Sequence, residues 1–324
     1  MNPNDIFNIE NQETFNKVAL EIFKLQYDLL PVYHSFCENL NKNPQNVTRI
    51  EQIPFLPIQL FRTNDININP SYDLLFESSG TTSKTTSRHF VADKLIYKTS
   101  FKKTFEHFYS KSDDFVWLAL TPKIHERKTS SLVYMVDYFV RHSKHSESGF
   151  YLNKYDELVK VIKACMEAKK KIILFGLSYG LLDFAEHFTL PEYPELIVME
   201  TGGMKGKRPE MVRNELHSIL TKAFNVEKIH SEYGMTELLS QAYSKGDGVF
   251  RFPSWSKIII RDVYNPLNVG ITERNGGINI IDLANIYSCS FIETEDMGIS
   301  YSDGSFEVLG RMEHTINRGC NMML

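Results

Sequence analysis

The sequence has few cysteines and no cysteine pattern. Cys37, Cys165, Cys289 and Cys320 are the four in 324 residues. Their wide separation excludes a C-x-x-C motif and a dense disulfide framework, so neither structural zinc nor disulfides are expected to organise the fold. His142 and His145 sit among Arg141, Lys144 and several serines, a setting that reads as a solvated loop and not a metal site. No apolar run approaches the ~20 residues of a membrane span, and the opening Met-Asn-Pro-Asn-Asp is unlike a signal peptide. A cytoplasmic protein without a membrane span is therefore expected. With a formal net charge of −4, the chain has no general attraction for nucleic acid or anionic lipid, and any anion site must be local. Internal repeats and low-complexity tails are absent too. What remains is ordinary soluble-protein composition, 42% hydrophobic and 23% charged, in a length that suits one large domain or two.

The most distinctive stretch is Phe76-Glu-Ser-Ser-Gly-Thr-Thr-Ser-Lys-Thr-Thr-Ser-Arg-His-Phe90. A short apolar run ends there in a turn built of hydroxyls, one glycine and two cations. Gly80 lets the backbone approach a ligand closely. The hydroxyls of Ser78, Ser79, Thr81 and Thr82 offer short donors, and Lys84 and Arg88 bring positive charge, so the turn reads as a phosphate cradle. Asp73–Phe76 before it is strand-like and Ala92–Tyr109 after it helix-like, the strand, anion loop and helix order of nucleotide sites. A P-loop is excluded, because G-x-x-x-x-G-K-[ST] needs a second glycine where Ser83 precedes Lys84. A solvated Ser/Thr linker is the alternative on composition alone.

Periodicity orders the rest of the chain. Asn11–Leu30 carries Phe15, Val18, Ala19, Ile22 and Phe23 at helical spacing, a second helix is expected at Val32–Leu40, and the two prolines of Ile53–Phe61 call for an extended, buried connector. From Asp73, strand-like runs at Leu74–Phe76, Phe115–Leu120, Lys171–Phe175 and Leu196–Met199 alternate with helical periods at Ala92–Tyr109, Ser130–His142, Tyr155–Lys169, Tyr179–Phe188 and Pro209–Phe224. Such alternation predicts an α/β fold, a mostly parallel sheet flanked by helices, with ligand at the carboxyl ends of its strands and the cradle at one such end. After about Val249 helices give way to strands at Ser256–Val263, Gly277–Leu283 and Ser305–Leu309, read as a smaller antiparallel β subdomain. The expected divisions are a helical cap over 1–70, an α/β nucleotide-binding core over 71–248, the β subdomain over 249–310, and a tail over 311–324.

Three further polar clusters interrupt the apolar pattern. Glu200–Arg208 contains Gly202, Gly203 and Met204 after a strand, either a close backbone approach to a ligand or a surface turn. In His230-Ser-Glu-Tyr-Gly-Met-Thr-Glu237, Tyr233 could stack on a base beside Gly234, Thr236 could donate to a phosphate, and Glu237 could hold Mg²⁺. The same residues could simply cap a helix. Glu293–Gly298 and Asp303–Glu313 supply an Asp and an Arg able to converge on a ribose, or a sheet turn. Gly176–Gly180 could line a carboxylate pocket, with core packing the competing use.

Taken together and in this order, the clusters resemble the motifs of the acyl-adenylate-forming superfamily. Ser78–Ser87 resembles its phosphate loop, with Ser83 and Lys84-Thr85 where that loop has Gly and Pro-Lys. Gly202–Met204 resembles its adenine-side glycine segment, Tyr233-Gly-Met-Thr-Glu237 its Tyr-Gly-x-Thr-Glu, and Asp296 with Gly310-Arg311 its ribose-binding Asp and hinge motif. Within the superfamily the chain is most similar to LuxE-like acyl-protein synthetases, ligases that pass fatty acyl groups to a reductase. Ile53–Pro57 and a chain ending shortly after the Gly-Arg motif share in that likeness.

The resemblance implies ATP and Mg²⁺ as cofactors, a fatty acid as substrate, an acyl-accepting partner protein, and no mobile C-terminal domain. Ser79, Thr81, Thr82 and Lys84 would then hold the β and γ phosphates, Thr236 the α-phosphate, Glu237 the Mg²⁺, Tyr233 the base, and Asp296 with Arg311 the ribose. It also implies an acyl-accepting cysteine near the C-terminus, here Cys320, with Arg318 favouring its thiolate. Two alternatives stand beside this reading. One is an acyl- or aryl-CoA ligase working with a separate C-terminal domain; the other is a non-catalytic nucleotide- or acyl-binding module.

Overall fold

The computed structural model describes residues 3–79, 86–209 and 211–312. The chain divides into two compact units, one of residues up to Phe101 with Met235–Gln241 and everything from Val249 onward, the other of Lys102–Gly234 with Ala242–Gly248.

The first unit opens with helix α1, Gln12–Leu29, whose N-cap Asn11 accepts from the Thr14 amide. Its buried stripe is Phe15, Ala19, Ile22, Phe23 and, unusually, Gln26. Gln26 is tolerated there because its amide is fully used: Nε2 donates to the Asn285 carbonyl at 3.0 Å and to Ser290 Oγ, while Oε1 accepts from the Ser290 amide. Helix α2, Pro31–Asn39, starts on a proline at its first turn, where no backbone donor is missed. The proline-bounded connector becomes strand β1, Leu56–Pro57, and a single helical turn, α3, Leu60–Thr63.

Strands β2, Leu74–Glu77, and β3, Arg88–Val91, follow, and they pair with each other as an antiparallel ribbon. This corrects the expected strand, loop and helix order. The cradle joins two strands of a hairpin and does not end a strand of the parallel sheet. Arg88-His-Phe-Val91 was too short to separate from the helical period after it. Helix α4, Lys94–Phe108, crosses the division between the units.

The second unit is the α/β part. In chain order it runs β4 (Val116–Leu120), α5 (Ser131–His142), β5 (Gly149–Phe150), α6 (Tyr155–Glu167), β6 (Ile172–Leu177), α7 (Ser178–His187), β7 (Leu196–Thr201), α8 (Arg213–Phe224), β8 (His230–Tyr233) and β9 (Ala242–Ser244). The sheet order is β5-β4-β6-β7-β8-β9; the first five strands are parallel and β9 is antiparallel to β8. β4 and β6 are buried along their whole length, as strands covered on both faces must be.

The chain then returns to the first unit as β10 (Val249–Phe250), β11 (Ser256–Arg261), β12 (Gly276–Asp282), β13 (Phe291–Ser300) and β14 (Phe306–Arg311). These form an antiparallel sheet of order β10-β14-β13-β12-β11, to which β1 adds in parallel beside β13. Five of its six strands come from the segment after Val249 and the sixth, β1, from the N-terminal region. Phe23, Tyr33 and Phe55 of the N-terminal region pack on Phe291 of β13. Residues 3–70 and 249–312 thus share one core.

Candidate active site

In the first unit Glu237 has Ser87 beside it and the charges of Arg311 and Arg62 farther off. Its side chain is 4% exposed, and burial raises its carboxyl above the ordinary range against a hydrogen bond from Ser87 and the more distant charges of Arg311 and Arg62. Thr236, half-buried, precedes it. The segment just after is anchored by Asp282 at the end of β12, which accepts from the Leu239 amide at 2.8 Å, the Ser240 amide at 2.9 Å and Ser240 Oγ at 2.6 Å.

Asp296 and Arg311 stand opposite each other on β13 and β14. Arg311 Nε lies 3.4 Å from Asp296 Oδ1, and Nη1 lies 2.8 Å from Glu295 Oε2. Glu295 also takes Arg62 at 3.3 Å and Gln59 at 2.9 Å. The antiparallel register therefore joins an Asp and an Arg that are 15 residues apart in sequence. Glu295 and Arg62 were not anticipated, because nothing in the sequence marks which carboxylate of a strand meets a guanidinium.

The cradle is closed at its base. Ser78 donates its amide to the Ser87 carbonyl at 3.1 Å, and its hydroxyl accepts from the Ser87 amide at 2.9 Å. Ser79 is exposed. Arg88 makes a 2.5 Å ion pair with Asp65 and lies over the Phe90 ring. Gly80, Thr81, Thr82 and Lys84 lie outside the described residues, as does Cys320.

In the second unit, Gly202 and Gly203 follow β7 in the left-handed region, φ 71° and 64°, and both are exposed. Met204 is buried in the unit's core. Arg208 is committed to Asp183 and Glu186 of α7. Tyr233, half-buried, ends β8, and Gly234 after it is exposed. The Gly176–Gly180 segment is used in packing: a side chain on Gly176 would meet Leu181 and Leu120 within about 3 Å.

A pair of buried carboxylates, unforeseen, lies at the ends of β7 and β8. Glu200 accepts from Ser178 and lies 3.5 Å from His217. Burial raises its carboxyl, but the nearby His217 and Ser231 side chains with the Arg213 charge outweigh that and hold it below the usual range. Glu232 accepts from Thr201, the residue before Gly202. Burial, aided by the Glu200 charge against the Thr201 bond, pushes it up to about 7.

A family model for acyl-protein synthetase, LuxE, matches residues 2–324. The chain belongs to this family. No curated protein matches it in sequence. Among solved structures, 2-hydroxyisobutyryl-CoA ligase with 2-HIB-AMP superimposes with a TM-score of 0.64 at 12% identity, covering 93% of this chain and 68% of that one. ATP-bound MatB from Rhodopseudomonas palustris superimposes at 0.52 and 15% identity, covering 75% of this chain and 49% of MatB. The chain thus has an α/β fold similar to that of acyl-adenylate-forming enzymes, and it spans about half the length of MatB.

Among the described residues no group of three or more His, Cys, Asp or Glu could hold a metal ion, and no helix is long and apolar enough to cross a membrane. A Mg²⁺ held chiefly by phosphates needs only one or two carboxylates. Glu237 suits that use, being a buried carboxylate whose nearest cationic groups act only from a distance.

Proposed function

We propose that this acyl-protein synthetase activates a fatty acid with ATP as acyl-AMP and passes the acyl group to a cysteine thiol. The buried, under-compensated Glu237 beside Thr236, in the unit that also pairs Asp296 with Arg311, carries the reading. In the first step a carboxylate oxygen attacks the α-phosphorus, the bond to the bridging oxygen breaks, and pyrophosphate leaves. In the second, a thiolate adds to the acyl carbonyl and AMP departs, leaving a thioester.

The first unit supplies Glu237 for Mg²⁺, Thr236 for the α-phosphate, Asp296 and Arg311 for the ribose hydroxyls, and Ser78, Ser79, Gly80, Thr81, Thr82, Lys84 and Arg88 for the β and γ phosphates. The family resemblance assigns the base to Tyr233 with Gly234 and to the Gly202–Met204 turn. Bound Mg²⁺ would neutralise charge on the phosphate oxygens. The protein positions the two oxygens in line and stabilises charge as it moves to the leaving group.

Cys320 is the proposed acyl carrier. Cys37, Cys165 and Cys289 are all buried, and burial raises each thiol, Cys37 to about 12. Such thiols are poor nucleophiles near neutral pH. The acyl group then goes on to a partner protein, a reductase or carrier.

The test is incubation with ATP, Mg²⁺ and labelled fatty acids, then location of hydroxylamine-sensitive label by mass spectrometry. Cys320→Ser should still exchange pyrophosphate into ATP but hold no thioester. Label retained on another cysteine would refute the carrier assignment. Nucleotide binding without any pyrophosphate exchange would refute the enzyme reading.

A further inference from the structure

Two side chains with no assigned contact to ATP hold the backbone of Thr236 and Glu237. His89, on β3, is 1% exposed, and its Nδ1 lies 2.8 Å from the Thr236 carbonyl oxygen. A carbonyl oxygen can only accept, so Nδ1 must carry the proton. Burial pushes the imidazole down to about 4, against the hydrogen bonds it makes, so the ring is neutral at pH 7. Asn285, also 1% exposed, donates Nδ2 to the next carbonyl, that of Glu237, at 2.7 Å. Its own carbonyl is held in turn by Gln26 of α1. Two consecutive carbonyls of one loop are therefore gripped by fully buried donors from separate parts of the first unit.

The grip leaves two acceptors unused. His89 Nε2 and Asn285 Oδ1 are buried without a hydrogen bond of ordinary geometry, although the Asn285 side chain lies close enough to influence the ring. The other neutral tautomer, protonated on Nε2, would relieve both atoms. It would also set two acceptors against each other at the Thr236 carbonyl. The 2.8 Å contact shows that holding the loop prevails over satisfying Asn285.

We propose that His89 and Asn285 are positioning residues for the reaction, fixing the Thr236–Glu237 backbone so that the Thr236 hydroxyl and the Glu237 carboxylate face the nucleotide before it binds. The proposal rests on the adenylating reading given above. A carboxylate attached to a loose backbone would have to be ordered by the metal-nucleotide at each turnover. One attached to a backbone pinned at both carbonyls is already aimed.

The first measurement is made on the unmodified full chain. Nitrogen-15 NMR of labelled histidine, with the His89 signal identified by its loss in His89→Asn, should show the Nδ1-protonated tautomer around neutral pH. The Nε2-protonated form would overturn the proposal. The second compares variants. Asn carries its amide nitrogen near the place of Nδ1, whereas Gln carries it near Nε2. His89→Asn should recover most of the pyrophosphate-exchange rate, while His89→Gln, His89→Leu and Asn285→Leu should each lose about tenfold or more in kcat, the scale of one lost buried hydrogen bond.

Calorimetry should show that these last three also lose preference for Mg²⁺-ATP over metal-free ATP, with the KM for the fatty acid unchanged. A merely structural histidine would leave Asn and Gln equivalent, and that result would overturn the proposal. If the unmodified protein neither binds ATP nor exchanges pyrophosphate, the adenylating reading fails and the positioning role with it, whereas the tautomer still reports on the grip by itself.

Discussion

Glu232 makes the stability of the second unit depend on pH, in a direction opposite to that of an ion-paired carboxylate. Burial and the neighbouring Glu200 charge push its carboxyl up to about 7, from the ordinary value of 4.5. Between those values the folded chain binds more protons at this site than the unfolded chain. Its contribution to stability is therefore complete below the unfolded value and lost as pH rises through about 7. The gap between about 7 and 4.5 corresponds to about 3 kcal/mol.

Glu232→Gln removes the titration, keeps an acceptor for Thr201 and offers an amide to Glu200. Relative to the parent, the variant should gain about 3 kcal/mol between about pH 4.5 and about pH 8.5. Urea unfolding at each pH measures it. Trp117 is buried in the second unit and serves as the fluorophore. The other tryptophan, Trp255, lies in the first unit and is replaced by Phe in both proteins. Effects of groups that do not interact with Glu232 cancel in the difference. A difference that does not change with pH, or that shrinks as pH rises, would refute the buried-carboxylate account.

The remaining expectations concern the first unit. Glu237→Gln keeps the volume but not the charge, and pyrophosphate exchange should fall by about two orders of magnitude with the fold intact; near-normal exchange would remove Glu237 from the metal role. Arg311→Lys loses the planar fork that now spans Glu295 and Asp296, so KM for ATP should rise and thermal stability should hold, since the side chain is 57% exposed. An unchanged KM would make Arg311 a strand-pairing residue only. A methyl group on Gly298 would lie 2.4 Å from the Glu307 carbonyl oxygen on the adjacent strand, and Gly298→Ala should cost about 1–3 kcal/mol in chemical unfolding. Equal unfolding midpoints would mean that the strands can part there.

Local patterns carried a large part of this architecture. Helix α1 follows from the spacing of Phe15, Ala19, Ile22 and Phe23, and the parallel strands β4, β6 and β7 were visible as apolar runs between helical periods. The central strand β13 was not. Its Glu293-Thr-Glu-Asp296 reads as a polar cluster, although Thr294 and Asp296 are buried within a sheet. β3 was hidden by its shortness, and the hairpin it completes changes the setting of the cradle. Tyr-Gly-Met-Thr-Glu could be read as a site because it packs an aromatic ring, a glycine, a hydroxyl and a carboxylate into five residues. His89 and Asn285 could not, because a histidine in a strand and an asparagine after one carry no local sign of the carbonyls they grip.

By itself the sequence determined the longer helices and the parallel strands β4, β6 and β7, and carried the motifs by which it resembles its family, since these are written in short-range spacing and residue type. Tertiary structure alone decided the partners. The register of β13 against β14 sets Arg311 beside Asp296 and Glu295, the ends of β7 and β8 put Glu200 next to Glu232, and burial rather than residue identity raises Glu232 and Glu237. Hydrogen-bond geometry and desolvation depend on what surrounds an atom in three dimensions, and that information is spread over the whole chain.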